Sequence, residues 1–338
     1  MRVCVGLAVF FWGAMQMKVA TAQFEHRANE VSYNLEIIKC FTVQAASQGC
    51  EMIAFPECCL TGYWHLRKLN RPELVNLSQD LIQMRVFSEL QEIAAEHSIV
   101  IGVGHVEYDR DSDELFNSYS VIGADGLLSK HRKLHCFISE HLECGDEFTV
   151  FTLPNGRQCG ILICYDNNLV ENVRATALAG AEVLIAPHQT GGCHSGSPHA
   201  MGLVDSELWD NRNRFPEAIE TELRGEKGRE WLMRWLPARA HDNGLFLIFS
   251  NGIGRDDDEI RTGNAMLIDP YGRIIKETCH AGDAIVIGEL DFALQATSTG
   301  RRWLRARRPE LYGILTNPSD SPQSTREVRF EHLHKGEN

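Results

Sequence analysis

Residues 159–187 read CGILICYDNNLVENVRATALAGAEVLIAP. Two short apolar runs, Cys159–Cys164 and Glu182–Pro187, flank a stretch of helical character over 168–180. Runs this short and continuous, bounded by Gly, Pro or Asp, are the pattern of strands buried on both faces. The same rhythm extends outward in both directions. Strands are expected at 17–23, 51–56, 98–104, 117–123, 244–250, 264–269 and 284–290. Helices are expected at 28–48, where Val31, Leu35, Ile38, Phe41 and Ala45 form one stripe, and at 78–97, with Ser78 as cap. A further helix is expected at 229–243. Strands and helices alternate throughout, so the class is α/β. No Pro/Gly/Ser-rich linker or internal repeat divides the chain, and one domain is expected over 17–315. Two stretches break the rhythm: a polar, Gly- and His-rich insert at 188–228 and a polar tail at 316–338.

Composition narrows the function. The 338 residues are 43% hydrophobic and 23% charged, an ordinary globular balance. Lys and Arg number 33 against 46 Asp and Glu, a net charge of −13, which speaks against a protein that tracks nucleic-acid phosphates. The 11 Cys show no repeating spacing, no CxxC and no four-ligand zinc pattern. They point to a reducing, cytoplasmic setting rather than a stapled secreted domain. Residues 1–22 imitate a signal peptide, but Lys18 interrupts the segment, and cleavage after Ala22 would remove the first strand. Residues 1–16 are therefore read as an upstream extension, too short in its apolar run to span a bilayer.

Three ionisable residues follow strand-like runs. Cys164 ends CGILI and enters a polar turn, a placement that presents a nucleophile at a sheet's carboxyl edge. Glu57 stands directly after MIAFP, where open α/β sheets place their sites. Lys133 lies in the basic cluster His131-Arg132-Lys133-Leu134-His135. Taken singly, each reads as a buried strand-end thiol, a loop carboxylate or a surface cation.

Taken in order, they resemble the nitrilase superfamily, the carbon–nitrogen hydrolases with a Glu–Lys–Cys triad. FPE with Leu60-Thr61-Gly62-Tyr63 resembles the setting of the catalytic Glu, RKLH that of the Lys, and ICYD that of the nucleophile. Arg174–Ala181 resembles the helix after the nucleophile, and Ala238–Asn243 a later helix end. The resemblance implies a four-layer α-β-β-α sandwich that dimerises through helices. It implies a hydrolase of small amides, or of carbamoyl or nitrile compounds, with no cofactor, no metal, no nucleic acid and no membrane partner. Cys164 would be the nucleophile, Glu57 the general base and Lys133 an oxyanion donor. Glu140, five residues before Gly145, matches a second glutamate of the family that would orient substrate or hold Lys133 charged. Tyr63, Tyr165, His188 and Gln189 are candidates to line the pocket. Tyr165-Asp166 after the nucleophile, instead of Trp-Glu, favours an amidase over a true nitrilase. Two other readings are a non-catalytic scaffold, and a zinc hydrolase using His188, Cys193, His194 and His199.

Overall fold

The computed structural model describes residues 15–317 and 323–334, so residues 1–14 of the expected extension lie outside the described residues. The chain builds two six-stranded sheets. The first begins with β1 (Gln16–Gln23), β2 (Met52–Ala54), β3 (Val100–Asp109), β4 (Glu114–Gly123) and β5 (Gly126–Arg132). The second begins with β6 (Thr149–Thr152), β7 (Gln158–Ile161), β8 (Val183–His188) and β9 (Phe246–Asn251). A separate hairpin follows, β10 (Ile253–Asp256) and β11 (Glu259–Thr262). Next, β12 (Met266–Ile268) and β13 (Ile274–Glu277) complete the second sheet, in the order β13-β12-β9-β8-β7-β6. Finally β14 (Ala284–Asp291) returns to pair antiparallel with β1, giving the first sheet the order β14-β1-β2-β3-β4-β5.

Strand alternation sorts the apolar side chains into three cores. In β8, Val183 and Ile185 point between the sheets, while Leu184 and Ala186 point outward. In β9, Phe246 and Ile248 face inward and Leu247 and Phe249 outward. In β1, Met17 and Val19 face the other sheet and Ala20 and Ala22 the helices. Helices α1 (Val31–Ser47), α2 (Arg71–Gln83) and α3 (Val86–His97) cover the first sheet. Helix α4 (Val170–Leu178) covers the second, joined after α5 (Ser206–Asp210) and α6 (Pro216–Arg224) by α7 (Arg229–Met233) and α8 (Leu236–Asn243). This is the expected α-β-β-α sandwich. Among the described residues no helix is long and apolar enough to cross a membrane.

The structure departs from the local expectations in six places. The helix expected over 78–97 is two helices, α2 and α3, parted at Arg85 in left-handed geometry (φ +55°). Its cap is Asn70, in a capping box with Glu73 and with Pro72 in the first turn. Ser78 instead lies inside α2 and accepts the Tyr108 N–H. The helix expected over 229–243 is likewise split, because Pro237 opens α8. The insert 188–228 is not only loop, since it carries α5 and α6, whose Trp209, Ile219 and Leu223 build a fourth apolar cluster with the β10–β11 hairpin. Strands β5, β6, β10, β11 and β13 went unseen because they are short or polar. The tail also holds a helix, Thr325–His334, which follows α9 (Ala293–Thr297) and α10 (Thr299–Arg305) and is numbered α11.

The basic cluster at the end of β5 is sorted by the same alternation. Lys130 and Arg132 point to one face, where both bond the Glu107 carboxylate of β3; Arg132 Nη2 lies 2.7 Å from Oε1. Ser118 also donates to Glu107. Burial alone would raise the Glu107 pKa, but these donors outweigh it and hold the carboxyl at about 2 against an ordinary 4.5. A depressed folded-state pKa means stability fully present above pH 4.5 and lost as pH falls towards 2. Glu107→Gln should therefore lower stability at pH 7 by about 1–3 kcal/mol, discounted for partial solvent exposure of the cations. The gap from the native protein should close in urea titrations between pH 4.5 and 2. A gap independent of pH would refute this origin.

Candidate active site

Glu57 stands three residues beyond the end of β2. Its loop is pinned from two sides. The Tyr119 hydroxyl of β4 bonds both the N–H and the carbonyl of Phe55, at 3.1 and 2.9 Å. Gly104 of β3 passes so close that a Cβ there would lie 2.2 Å from the Cys58 nitrogen, so only glycine fits. Cys58 itself takes left-handed geometry (φ +46°). Glu57 is fully buried.

Lys133 continues β5 by one residue, and its N–H bonds the Asn117 carbonyl of β4 at 2.8 Å. These cross-strand neighbours converge on one oxygen. Lys133 Nζ lies 2.5 Å from Glu57 Oε1, and Asn117 Nδ2 donates to the same atom at 2.7 Å. Burial opposes the Lys133 charge, but Glu57, with smaller contributions from Tyr63, Cys164 and Cys136, outweighs it, and the ammonium pKa lies well above its ordinary value. Glu57 Oε2 is buried with no hydrogen-bond partner. A buried carboxylate oxygen left free is costly unless it has a task.

Cys164 comes from the other sheet, three residues beyond β7, and opens a single 3-10 turn, Cys164–Asn168. Its φ of +49° is uncommon for a residue with a Cβ and costs about 1 kcal/mol. Asp166 holds this turn against the Lys133 loop. Its carboxylate accepts N–H groups from Leu134, His135 and Ile163 at 3.2, 2.8 and 3.1 Å. The Cys164 thiol is pushed up to about 12, first by burial, then by the charge of Glu57. Lys133 and the Gln189 backbone oppose that rise. At neutral pH Cys164 is therefore a thiol and not a thiolate.

A cavity of about 310 Å³ opens over Cys164. Tyr63, Tyr165 and Gln189 line it. The Tyr63 hydroxyl lacks a partner, and burial raises its pKa well above the ordinary value. Gln189 Nε2 donates to the Glu57 carbonyl at 2.8 Å and so helps fix that residue. His188 does not line the cavity. It is buried behind it, between Phe249 and Trp235, with Asn167 Nδ2 3.1 Å from its Nε2. Burial, then Lys133, pushes its pKa well down, so the ring is neutral. Glu140 is also not brought to the site; it is exposed on the loop after Lys133, as is Glu143. The partner of Glu57 that sequence reasoning missed is Asn117, and nothing short of the β4–β5 register would have found it.

Arg261 was missed as well. Of the acidic run Asp256–Glu259, only Asp257 and Asp258 lie towards solvent, where they pair with Arg67. Asp256 and Glu259 are buried, and Arg261 reaches both, at 2.9 and 2.8 Å. Burial opposes the Asp256 charge, yet Arg261 and His26 hold its pKa well below the usual range. Among the described residues no group of His, Cys, Asp or Glu is arranged to hold a metal ion; His194 and His199 are exposed.

Similar proteins agree with this architecture. An (R)-stereoselective amidase from Pseudomonas sp. is 28% identical over 312 residues, covering 90% of this chain and 96% of that protein. A nitrilase from Pyrococcus abyssi is 25% identical over 281 residues, 82% of this chain and 91% of its own length. Among solved structures, an amidase from Nesterenkonia sp. AN1 in complex with acrylamide superposes with a TM-score of 0.67 at 20% identity, covering 89% of this chain and 97% of that one. The profile of the carbon–nitrogen hydrolase family matches residues 18–298, and with that span covered the chain belongs to the carbon–nitrogen hydrolase family.

Proposed function

We propose that the chain cleaves a small amide to carboxylate and ammonia through a thioester on Cys164. The observation that carries this reading is the free Oε2 of Glu57, buried beside a protonated thiol, while its other oxygen is held by Lys133 and Asn117. Glu57 takes the thiol proton as sulfur attacks the amide carbon. Lys133 and the N–H of Tyr165 stabilise the oxyanion of the tetrahedral intermediate. Collapse expels ammonia with the proton from Glu57, leaving the acyl group on sulfur. Glu57 then takes a proton from water, which attacks the thioester; collapse releases the carboxylate and returns the thiol.

Carbamoyl compounds and nitriles could use the same three groups. Tyr165-Asp166 after the nucleophile, and relatives named as amidases, favour the amide. A panel of primary amides, N-carbamoyl amino acids and nitriles, read by ammonia release, tests this. Amides should turn over fastest, and a panel in which only nitriles react would refute it.

The setting we infer is cytoplasmic, supported by the ten free cysteines among the described residues. A second copy of the chain is the inferred partner. Val170 and Leu178 of α4, Trp303 of α10 and Ile314 and Leu315 leave apolar side chains exposed on the helical layer that the family resemblance assigns to dimerisation.

A further inference from the structure

The cavity over Cys164 has a charge character of its own. Its lining includes two arginines, Arg261 and Arg329, and no Asp, Glu or Lys. Arg329 comes from α11, the helix within the polar tail, so the C-terminal segment supplies part of the wall. Its Nη2 donates to the His194 carbonyl at 2.8 Å, and its guanidinium lies over Phe137 and Phe330, at 5.6 and 5.5 Å from the ring centres. That arrangement uses the planar faces and one edge of the group. Nη1 is buried with no partner, and no carboxylate of the described residues forms an ion pair with Arg329. Arg261 Nη2 is likewise buried and unpartnered, in a side chain only 1% exposed. The Arg261 charge is already balanced by Asp256 and Glu259, whereas Arg329 meets no carboxylate among the described residues. A buried guanidinium N–H without an acceptor is unfavourable until one arrives. An acceptor-only, planar anion matches two such groups.

We propose that the amide substrate carries a carboxylate at the end remote from the scissile carbonyl, and that Arg329, with Nη2 of Arg261, receives it. This rests on the amidase reading of Cys164 and names the substrate class for that site. Tyr63 and Tyr165 provide aromatic walls for the chain between the two ends. Arg329 acts as a substrate-positioning residue, so its removal should raise KM more than it lowers kcat.

The test compares kcat/KM on the full chain for succinamate and glutaramate with butanamide and pentanamide, their neutral counterparts of equal backbone length. The carboxylate amides should lead by about 10-fold or more, a lead that shrinks at high salt. Arg329→Met should cut the ratio of charged to neutral amide by about 10–100-fold, the worth of one charge-assisted hydrogen bond. Arg329→Lys should restore part of it. Arg329→Glu should shift preference towards 5-aminopentanamide, a gain that loss of folding cannot mimic. Neutral amides turned over as fast as the carboxylate amides, with a ratio that Arg329→Met leaves unchanged, would overturn the proposal while the amidase reading stands. A chain that hydrolyses none of these amides would overturn both.

Discussion

Replacing Cys164 with Ala is expected to lower ammonia release from a preferred amide by about 10⁴–10⁶-fold, to the level of binding and polarisation alone. Cys164→Ser should fare little better. The thiol is already held at about 12 by burial and the Glu57 charge, and a hydroxyl is a much weaker acid than a thiol in the same surroundings. Removing sulfur should not cost the fold, because Cys164 sits at the rim of the inter-sheet core and is 7% exposed. Circular dichroism and the unfolding midpoint should stay near native for both variants. Retained activity in Cys164→Ala would move the nucleophile to another of the thiols, and Cys193, which also lines the cavity, would be the next to replace.

Glu57→Gln carries the second large expectation, a loss of about 10²–10⁴ in kcat. The amide has nearly the same shape and keeps an acceptor oxygen for Lys133 and Asn117, so the loop should hold. Basicity is what disappears. The variant also changes the electrostatics in a predictable sense. The Glu57 charge is the largest influence raising the Lys133 pKa against burial, so without it the ammonium should lose its proton at lower pH. Residual activity should therefore fall off on the alkaline side earlier than in the native enzyme. A residual pH profile with an unmoved alkaline limb would argue that Lys133 and Glu57 are not coupled as their 2.5 Å contact implies. The two replacements should not add, because in the proposed mechanism both interrupt one proton transfer.

How much of this was readable beforehand follows from the physics of each residue. Cys164 and Glu57 were readable because each ends a run of apolar residues, and a polar side chain there must leave the sheet at its edge. Lys133 was readable only as part of an ordered set; alone, HRKLH cannot say which cation turns inward. The alternation of β5 decides that, sending Lys130 and Arg132 to Glu107 and leaving Lys133 for Glu57. Glu140 failed because a motif position does not fix where a loop side chain points, and this loop turns it to solvent. His188 failed for the opposite reason: it lies in β8 on the face that packs against Phe249 and Trp235, where a neutral ring is at home. Asn117, Asp166 and Arg261 act through partners remote in sequence or across a hairpin, so no local pattern marks them. Asn117 meets Glu57 across 60 residues, and Asp166 reaches Leu134 and His135 across 32 and 31. The tail was read as polar, which it is, yet that polarity conceals a helix whose Arg329 lines the cavity.

In the proposed reaction an acyl group passes through the sulfur of Cys164. Acid-quenched peptide mass spectrometry during turnover of a good amide tests it most directly. One peptide, the one containing Cys164, is expected to be heavier by the acyl group of the substrate and to return to its original mass once substrate is exhausted. Steady turnover with no acylated peptide, or with the acyl group on a different residue, would contradict it.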